Sequence, residues 1–440
     1  MNLAECRSYL ERVEVYGIKF GLDSIRKVLR SLGDPQTRFP SVLVAGTNGK
    51  GSVAAMLTEA LSRNGLRTGL YTSPHLVFVE ERVRVGRRLI SSSDFCRLLS
   101  RVKTAGDRLV QSGTLKGPLT YFEHLTALAF LYFREKKVDI AVLEVGMGGR
   151  FDATNVVTPI VSVITSIGLD HQKYLGSTLS RIAAEKAGII KPGVPVVSGL
   201  PAGTARRVIR KKAGESGSPL LETQAGDGAY RAERKRAGYR FVFRHQGKTF
   251  RFRPRLQGLH QGRNAAVALA AALVLSETWR GLDLQKVLAG IEGAEWPGRL
   301  EVVSRRPLVV LDGAHNVEGA GALAAYVRDF LPRPVFLVFA VMGDKDYRPI
   351  IRLLFPLARK IFLTSMPMPR AAAPQEVLSA ATAFRKKVMI EPDVRRALGR
   401  ARSLAQTAQG SVLAAGSLFL VGEIKKRRLL FQEKSDKIPL

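Results

Sequence analysis

The sequence predicts an α/β protein in which a mainly parallel sheet carrying a phosphate-binding glycine loop is followed by a smaller α/β domain. Three observations predict it. Short β-branched apolar runs alternate with segments of helical periodicity through most of the 440 residues. One such run leads directly into Gly46-Thr47-Asn48-Gly49-Lys50-Gly51-Ser52. The alternation restarts after a Trp296-Pro297-Gly298-Arg299 turn, which places a domain boundary between 1–295 and 296–440.

Taken in order, the first 30 residues read as one or two short helices. Ser41–Ala45 (SVLVA) reads as a buried strand, and VAAMLTEALSRNG beyond the glycine loop as a helix ending at Gly65. TGLYTS, IAVLEVG and IVSVITSI are strand-like, whereas Tyr121–Lys136 and Leu179–Ala187 have helical spacing. Between Pro201 and His260 there are 15 Lys and Arg against 4 Asp and Glu, including Arg234, Lys235 and Arg236. Within that stretch, YRFVF and KTFRFRPR flank RHQG and predict a basic peripheral hairpin near 230–255. An Ala-rich helix from Asn264 to Leu275 precedes the boundary. After it, LVVLDG, VFLVFAV, KIFLTS, KVMI and SVLAAGS predict strands of the second domain, and Lys425-Lys426-Arg427-Arg428 a basic surface tail.

Composition narrows the functional classes. With 46% hydrophobic and 24% charged residues the chain can fill more than one core. No apolar run is long enough to cross a bilayer, the opening MNLAECRSYLERVEVYG lacks a secretory signal pattern, and Cys6 and Cys96 are too few for a disulfide framework. A cytoplasmic protein without a membrane partner is expected. The net charge of +32 leaves nucleic acid and acidic small molecules open as partners.

Four sites carry chemistry. In Gly46–Ser52, glycines after a buried strand let backbone N–H groups converge on phosphate oxygens, Lys50 supplies positive charge, and the Ser52 hydroxyl can assist a metal or phosphate. The loop is a P-loop variant, since Val44 replaces the usual first glycine and Gly51 displaces Ser52. Glu144 closes a strand of the same sheet, where a carboxylate can hold Mg²⁺ or cap the turn that follows. His171, after Asp170, sits at the same edge and can ligate a metal, orient a carboxylate or cap a loop, while Ser73 adds a donor from another strand end. Asp312-Gly313-Ala314-His315-Asn316 could close over a nucleotide, with Arg299 supplying a phosphate contact, or form a sharp Asp/Asn turn. By spacing alone Glu185 and Lys186 read as a solvent-facing ion pair, and His75, His124, His245 and His260 carry no individual signal.

Together, Gly46–Ser52, TSPHL at Thr72–Leu76, Tyr121-Phe122-Glu123, EVGMGGRFDATN at Glu144–Asn155, Asp170-His171 and Asp312–Asn316 resemble the folylpolyglutamate synthase and dihydrofolate synthase family of the Mur ligase superfamily. The resemblance spans residues 1 to 425 in the expected order. It implies a P-loop-containing ATP-binding domain followed by a Rossmann-like C-terminal domain. The implied reaction adds L-glutamate to tetrahydrofolate, and to dihydropteroate, through an acyl phosphate, releasing ADP and phosphate. A monomer is expected, with ATP and Mg²⁺ as cofactors and a monovalent cation as a further one. Carried over by motif, Lys50 and Ser52 contact phosphates and Glu144, Ser52 and Ser73 hold Mg²⁺. Glu144 shares a second Mg²⁺ with His171 and Lys186, the latter as a carbamylated lysine, and Asn264, Arg299, Asp312 and His315 contact the nucleotide. The TYFE segment and Asp152 are expected on the folate side.

Two alternatives differ. A murein-precursor ligase would share the acyl-phosphate chemistry, but TSPHL and the early position of Lys50, with no preceding domain for a UDP-sugar, point away from it. A nucleic-acid-dependent P-loop ATPase would use the charge for backbone contacts, yet the strand-end groups suit a small-molecule ligase.

Overall fold

Ser41–Ala45 (β1) is buried along its whole length because its apolar side chains face covered layers on both sides of the sheet. Val42 and Val44 join a core with Val53, Leu57 and Ala268, while Leu43 and Ala45 face Leu128, Phe130 and Leu143 on the other side. The computed structural model describes every residue except 15, 16, 18, 20, 225–229, 236, 237, 280 and 433–440, with the backbone alone for 427–432. Arg236 and the side chains of Arg427 and Arg428 therefore lie outside the described residues.

The remaining strands of this sheet are β2 (Thr68–Tyr71), β3 (Val83–Val85), β4 (Arg88–Leu89), β5 (Ile140–Glu144), β6 (Val161–Ile164), β7 (Val196–Ser198) and β8 (Leu220–Glu222). Their order is β4-β3-β2-β5-β1-β6-β7-β8, with antiparallel pairing confined to the β2–β3–β4 edge. β1 lies between β5 and β6, so the loops leaving these three strands meet at one end. That end is where ligands bind in open parallel sheets.

The basic segment forms a three-stranded antiparallel sheet of β9 (Arg231–Lys235), β10 (Gly238–His245) and β11 (Lys248–Phe252), one strand more than the expected hairpin. It is less peripheral than expected. Arg240, Arg244 and Arg251 are exposed on one face, whereas Phe241, Phe243 and Phe252 enter the core that contains Ala265 and Val267 of the helix Leu259–Thr278. Phe241 packs where a Cβ on Gly262 would approach its ring at 2.3 Å, so the close fit requires glycine there.

The third sheet contains β12 (Glu301–Arg305), β13 (Leu308–Leu311), β14 (Val335–Phe339), β15 (Ala358–Leu363), β16 (Val388–Ile390) and β17 (Ser411–Ala415) in the order β12-β13-β17-β14-β15-β16. All pairs are parallel except β12–β13. Separate cores cover its two faces. The basic run that follows is helical, and Lys425 reaches Glu301 at 2.5 Å. Among the described residues no helix is long and apolar enough to cross a membrane.

Candidate active site

The glycine loop is fixed by both neighbouring strands and the helix behind it. Gly46 (φ +154) lies so close to β6 that a Cβ would sit 1.9 Å from Thr165 Oγ1, and at Gly49 (φ +85) it would sit 2.3 Å from Asn264 Oδ1. Thr47 N donates to Ser166 O at 2.8 Å and Asn48 N to Ser166 Oγ at 2.9 Å, while Thr165 Oγ1 donates to Asn48 O at 2.7 Å. Lys50 opens the helix Lys50–Arg63, and its Nζ donates to Gly46 O at 3.1 Å. Ser52, in the first helical turn, is buried. A glycine-freed loop before a helix N-terminus directs backbone N–H groups toward an anion.

A cavity of about 780 Å³ opens above this loop between the first and third sheets. Gly46, Thr47, Asn48, Gly49, Lys50, Gly51, Ser52, Ser73, Glu144, His171, Lys186, Asn264, Arg299, Asp312 and His315 all line it, so the structure gathers every nominated residue. Glu144 ends β5 beside Val44 and accepts from Ser73 N at 3.0 Å. Burial raises its carboxyl, against Lys50, the Ser73 amide, Arg299 and Arg82, which favour the charged form. His171 stands in a left-handed turn (φ +50), and its Nε2 lies 3.9 Å from Asp170 Oδ2. Desolvation lowers its imidazole, Asp170 opposes that, and Lys345, Lys50 and Lys186 reinforce it.

Lys186 departs from the reading of its spacing. It is 4% exposed and donates to Gly46 O at 2.9 Å, while Glu185 reaches Arg150 at 3.7 Å. The helix Leu179–Ala187 packs so tightly on the loop after β5 that a Cβ on Gly149 would meet Glu185 O at 2.8 Å, and this turns Lys186 inward. Burial first, then Lys50, pushes its ammonium down to about 7.

Asp312 behaves as the Asp/Asn-turn alternative describes: its carboxylate accepts from Leu300 N and Ala314 N, each at 2.9 Å. His315 Nδ1 contacts Gly313 O at 2.8 Å. In TYFE, Glu123 closes a capping box with Thr120, accepting from Thr120 N at 2.8 Å and donating its own N–H to Thr120 Oγ1 at 3.2 Å. Asp152 accepts from Met147 N at 2.9 Å and Thr154 N at 3.0 Å. Both carboxylates also line the cavity.

Sequence reasoning missed the lining residues Arg82, Lys345 and Glu318, and the contact that Asn316 makes with the glycine loop. Arg82 is buried beside Tyr121, and Lys345 pairs with Asp170 at 2.6 Å. Glu318 accepts from Asn48 Nδ2 at 3.0 Å, and Asn316 donates to Asn48 Oδ1 at 2.9 Å, so the turn after β13 holds the glycine loop directly. Asn316 stood within a quoted motif; the others had no local signal.

Among the described residues no three His, Cys, Asp or Glu side chains form a metal cluster. The donor set is of another kind: a buried carboxylate, Glu144, with the serine hydroxyls Ser52 and Ser73 in the same cavity. Hard oxygen donors that leave room for phosphate oxygens suit Mg²⁺.

The fold is matched in known proteins. Residues 44–272 match the Mur ligase middle domain, and residues 298–418 the Mur ligase glutamate ligase domain. The dihydrofolate synthase/folylpolyglutamate synthase of Bacillus subtilis is 37% identical over 430 residues, 96% of this chain and 98% of that protein. The folylpolyglutamate synthase of Lacticaseibacillus casei is 36% identical over 431 residues, 98% and 99% of the two chains. The crystal structure of Mycobacterium tuberculosis folylpolyglutamate synthase complexed with ADP and AMPPCP superposes with a TM-score of 0.89 at 31% identity, covering 99% of this chain and 100% of that one. The chain therefore belongs to the folylpolyglutamate synthase and dihydrofolate synthase family of Mur ligases.

Proposed function

We propose that the protein joins L-glutamate to folates at the expense of ATP, and that it accepts dihydropteroate as well as tetrahydrofolate. The observation that carries this reading is the single cavity shared by the glycine loop, the strand-end acid Glu144 and the Asp312–Asn316 turn. Residues 1–295 and 296–440 form the two domains of the proposal, and a cytoplasmic monomer is its setting.

The chemistry follows from the groups present. A carboxylate becomes an acylating agent once ATP converts it to an acyl phosphate, and the neutral amine of glutamate then displaces phosphate. Lys50 and the loop amides stabilise the charge on the transferring phosphoryl group. Arg299 adds a cation from the interdomain junction, and Asn264 and His315 bound the nucleotide. Positioning by these groups does most of the work, since phosphoryl transfer asks for alignment more than for a strong base. Glu144, Ser52 and Ser73 would hold one Mg²⁺, and Glu144, His171 and a carbamylated Lys186 a second; bound there, Mg²⁺ offsets phosphate charge. A lysine amine lowered to about 7 is substantially neutral at physiological pH, the form that reacts with CO₂.

Supplying tetrahydrofolate or dihydropteroate separately with ATP, Mg²⁺ and L-glutamate, and measuring product mass and released phosphate, tests the reading. One added glutamyl unit per phosphate on each acceptor is expected. Product from tetrahydrofolate alone removes the dihydropteroate activity, and AMP in place of ADP removes the acyl phosphate.

A further inference from the structure

One cation in the cavity has no assignment in the mechanism above. Arg82 is 8% exposed and ends the short turn Val79–Arg82 next to TSPHL. Its Nε donates to His75 Nδ1 at 3.0 Å, and its guanidinium lies 5.2 Å from the centroid of the Tyr121 ring. Among the described residues it forms no ion pair. Neither acid of its own turn pairs with it: Glu81 accepts from the amides of Leu76, Val77 and Phe78 at 2.9, 3.0 and 2.9 Å, and Glu80 accepts from Ser92 Oγ at 3.1 Å through Oε1 while its Oε2 is buried without a hydrogen-bond partner. A buried guanidinium without a carboxylate is costly, and its terminal nitrogens form a planar fork matched to one.

The surroundings identify what that carboxylate belongs to. Arg82 shares the cavity with Thr120, Phe122, Met147 and Asp152, and Phe122 packs 5.8 Å from Tyr71. An aromatic wall beside a buried guanidinium suits a planar conjugated acid better than a nucleotide. Arg82 lines the same cavity as Lys50, Arg299 and Glu144, so a carboxylate held by its guanidinium faces the phosphate site.

We infer that Arg82 binds the acceptor carboxylate of the folate substrate, the one that is phosphorylated, and that His75 is the positioning residue that aims it. The inference rests on the folate-ligase reading. Because an arginine Nε can only donate, His75 Nδ1 must accept, so the imidazole is neutral with its proton on Nε2. This contact fixes the roll of the guanidinium while Tyr121 fixes its tilt.

The test uses the full chain with Arg82→Gln, Arg82→Lys, His75→Leu and His75→Gln. KM is measured for ATP and for both acceptors, with equilibrium affinity replacing KM for an acceptor that does not turn over. Arg82→Gln is expected to weaken tetrahydrofolate and dihydropteroate alike, about tenfold to a hundredfold, with ATP KM unchanged. Unchanged acceptor affinity overturns the inference, as does an equal rise in ATP KM. Weakening of tetrahydrofolate alone also overturns it, because that result assigns Arg82 to the α-carboxylate that dihydropteroate lacks. If the Arg82 variants do not fold, the His75 pair decides. His75→Leu should raise acceptor KM more than it lowers kcat, and His75→Gln, whose amide oxygen can accept from Nε, should restore most of the loss; equal effects of the two, or none, overturn the assignment. A wild-type protein that binds ATP but neither binds nor extends either acceptor overturns the folate reading itself, and the inference with it.

Discussion

Lys50 and Lys186 share one acceptor: both ammonium groups donate to the carbonyl oxygen of Gly46, at 3.1 and 2.9 Å. Two cations against one carbonyl inside a buried site is an unfavourable arrangement, and it is relieved if one of them is uncharged. Lys186 is the one that burial and its neighbour drive down to about 7. If carbamylation supplies a ligand, Lys186→Ala should lose at least about a hundredfold in kcat/KM. Isotope-labelled bicarbonate should give a carbamate NMR signal in the wild type and none in the variant. A signal that persists in Lys186→Ala assigns the modification to another lysine.

Lys50→Ala should fold normally and lose about a hundredfold to a thousandfold in phosphoryl transfer, since the side chain acts on charge that develops in the reaction. Glu144→Ala should show a comparable loss, together with a weakened dependence on Mg²⁺ concentration. Single-turnover phosphate release is the informative measurement, and normal turnover in Lys50→Ala would remove the lysine from the phosphate site.

Gly46→Ala tests the loop without touching a charge. The added methyl would lie 1.9 Å from Thr165 Oγ1, with the Ser166 backbone at 3.1 Å, so the loop must move away from β6. Nucleotide affinity is expected to fall more than about tenfold by isothermal titration, with far-UV dichroism unchanged. Thr165→Ala relieves only the side-chain clash, so the double variant should recover part of the affinity.

The glycine loop, Glu144 and the Asp312–Asn316 turn were legible because each follows an apolar strand in sequence, and strand ends in a parallel sheet converge. Lys186 was illegible by spacing, because nothing in Glu185-Lys186 tells which way the helix rolls onto the loop at Gly149. The outward face of the basic segment could be read, but its phenylalanines could not be given a core to enter until the helix behind them was in place. Arg82 illustrates the same limit. Its importance comes from what Glu80 and Glu81 are bonded to, and sequence proximity suggests an ion pair that the fold does not make.

Asp170 and Lys345 tie the loop after β6 to the loop after β14 at 2.6 Å, with side chains 10% and 14% exposed. Burial works against the Asp170 carboxylate, yet His171, Lys345 and His315 hold it well below the usual carboxylate range. Breaking one side of so buried a pair should cost on the order of 3 kcal/mol. Asp170→Asn and Lys345→Met should each lower the urea midpoint and raise the KM for ATP. The double variant should be less destabilised than the sum of the two. Simple additivity would show that the pair does not join the two sheets energetically.

His124 gives a prediction on stability alone, away from the chemistry. The ring is 2% exposed, with Nδ1 2.9 Å from Thr120 O and Nε2 2.8 Å from Tyr9 Oη. A carbonyl cannot donate, so Nδ1 carries the proton and Nε2 accepts from the tyrosine: a neutral imidazole with both nitrogens satisfied. Burial, opposed by the Thr120 carbonyl, lowers the group to about 4 from its ordinary 6.5. The unfolded chain therefore binds the proton that the folded chain refuses between these values. The stabilisation is complete above about pH 6.5 and is lost as pH falls through this window toward 4, by as much as about 3 kcal/mol. Urea unfolding at a series of pH values should show this slope in the wild type. His124→Phe, which cannot take up a proton, should be less stable at neutral pH, where it loses both hydrogen bonds, yet show a shallower slope below it. Parallel slopes in the two proteins would assign the acid sensitivity to the carboxylates instead.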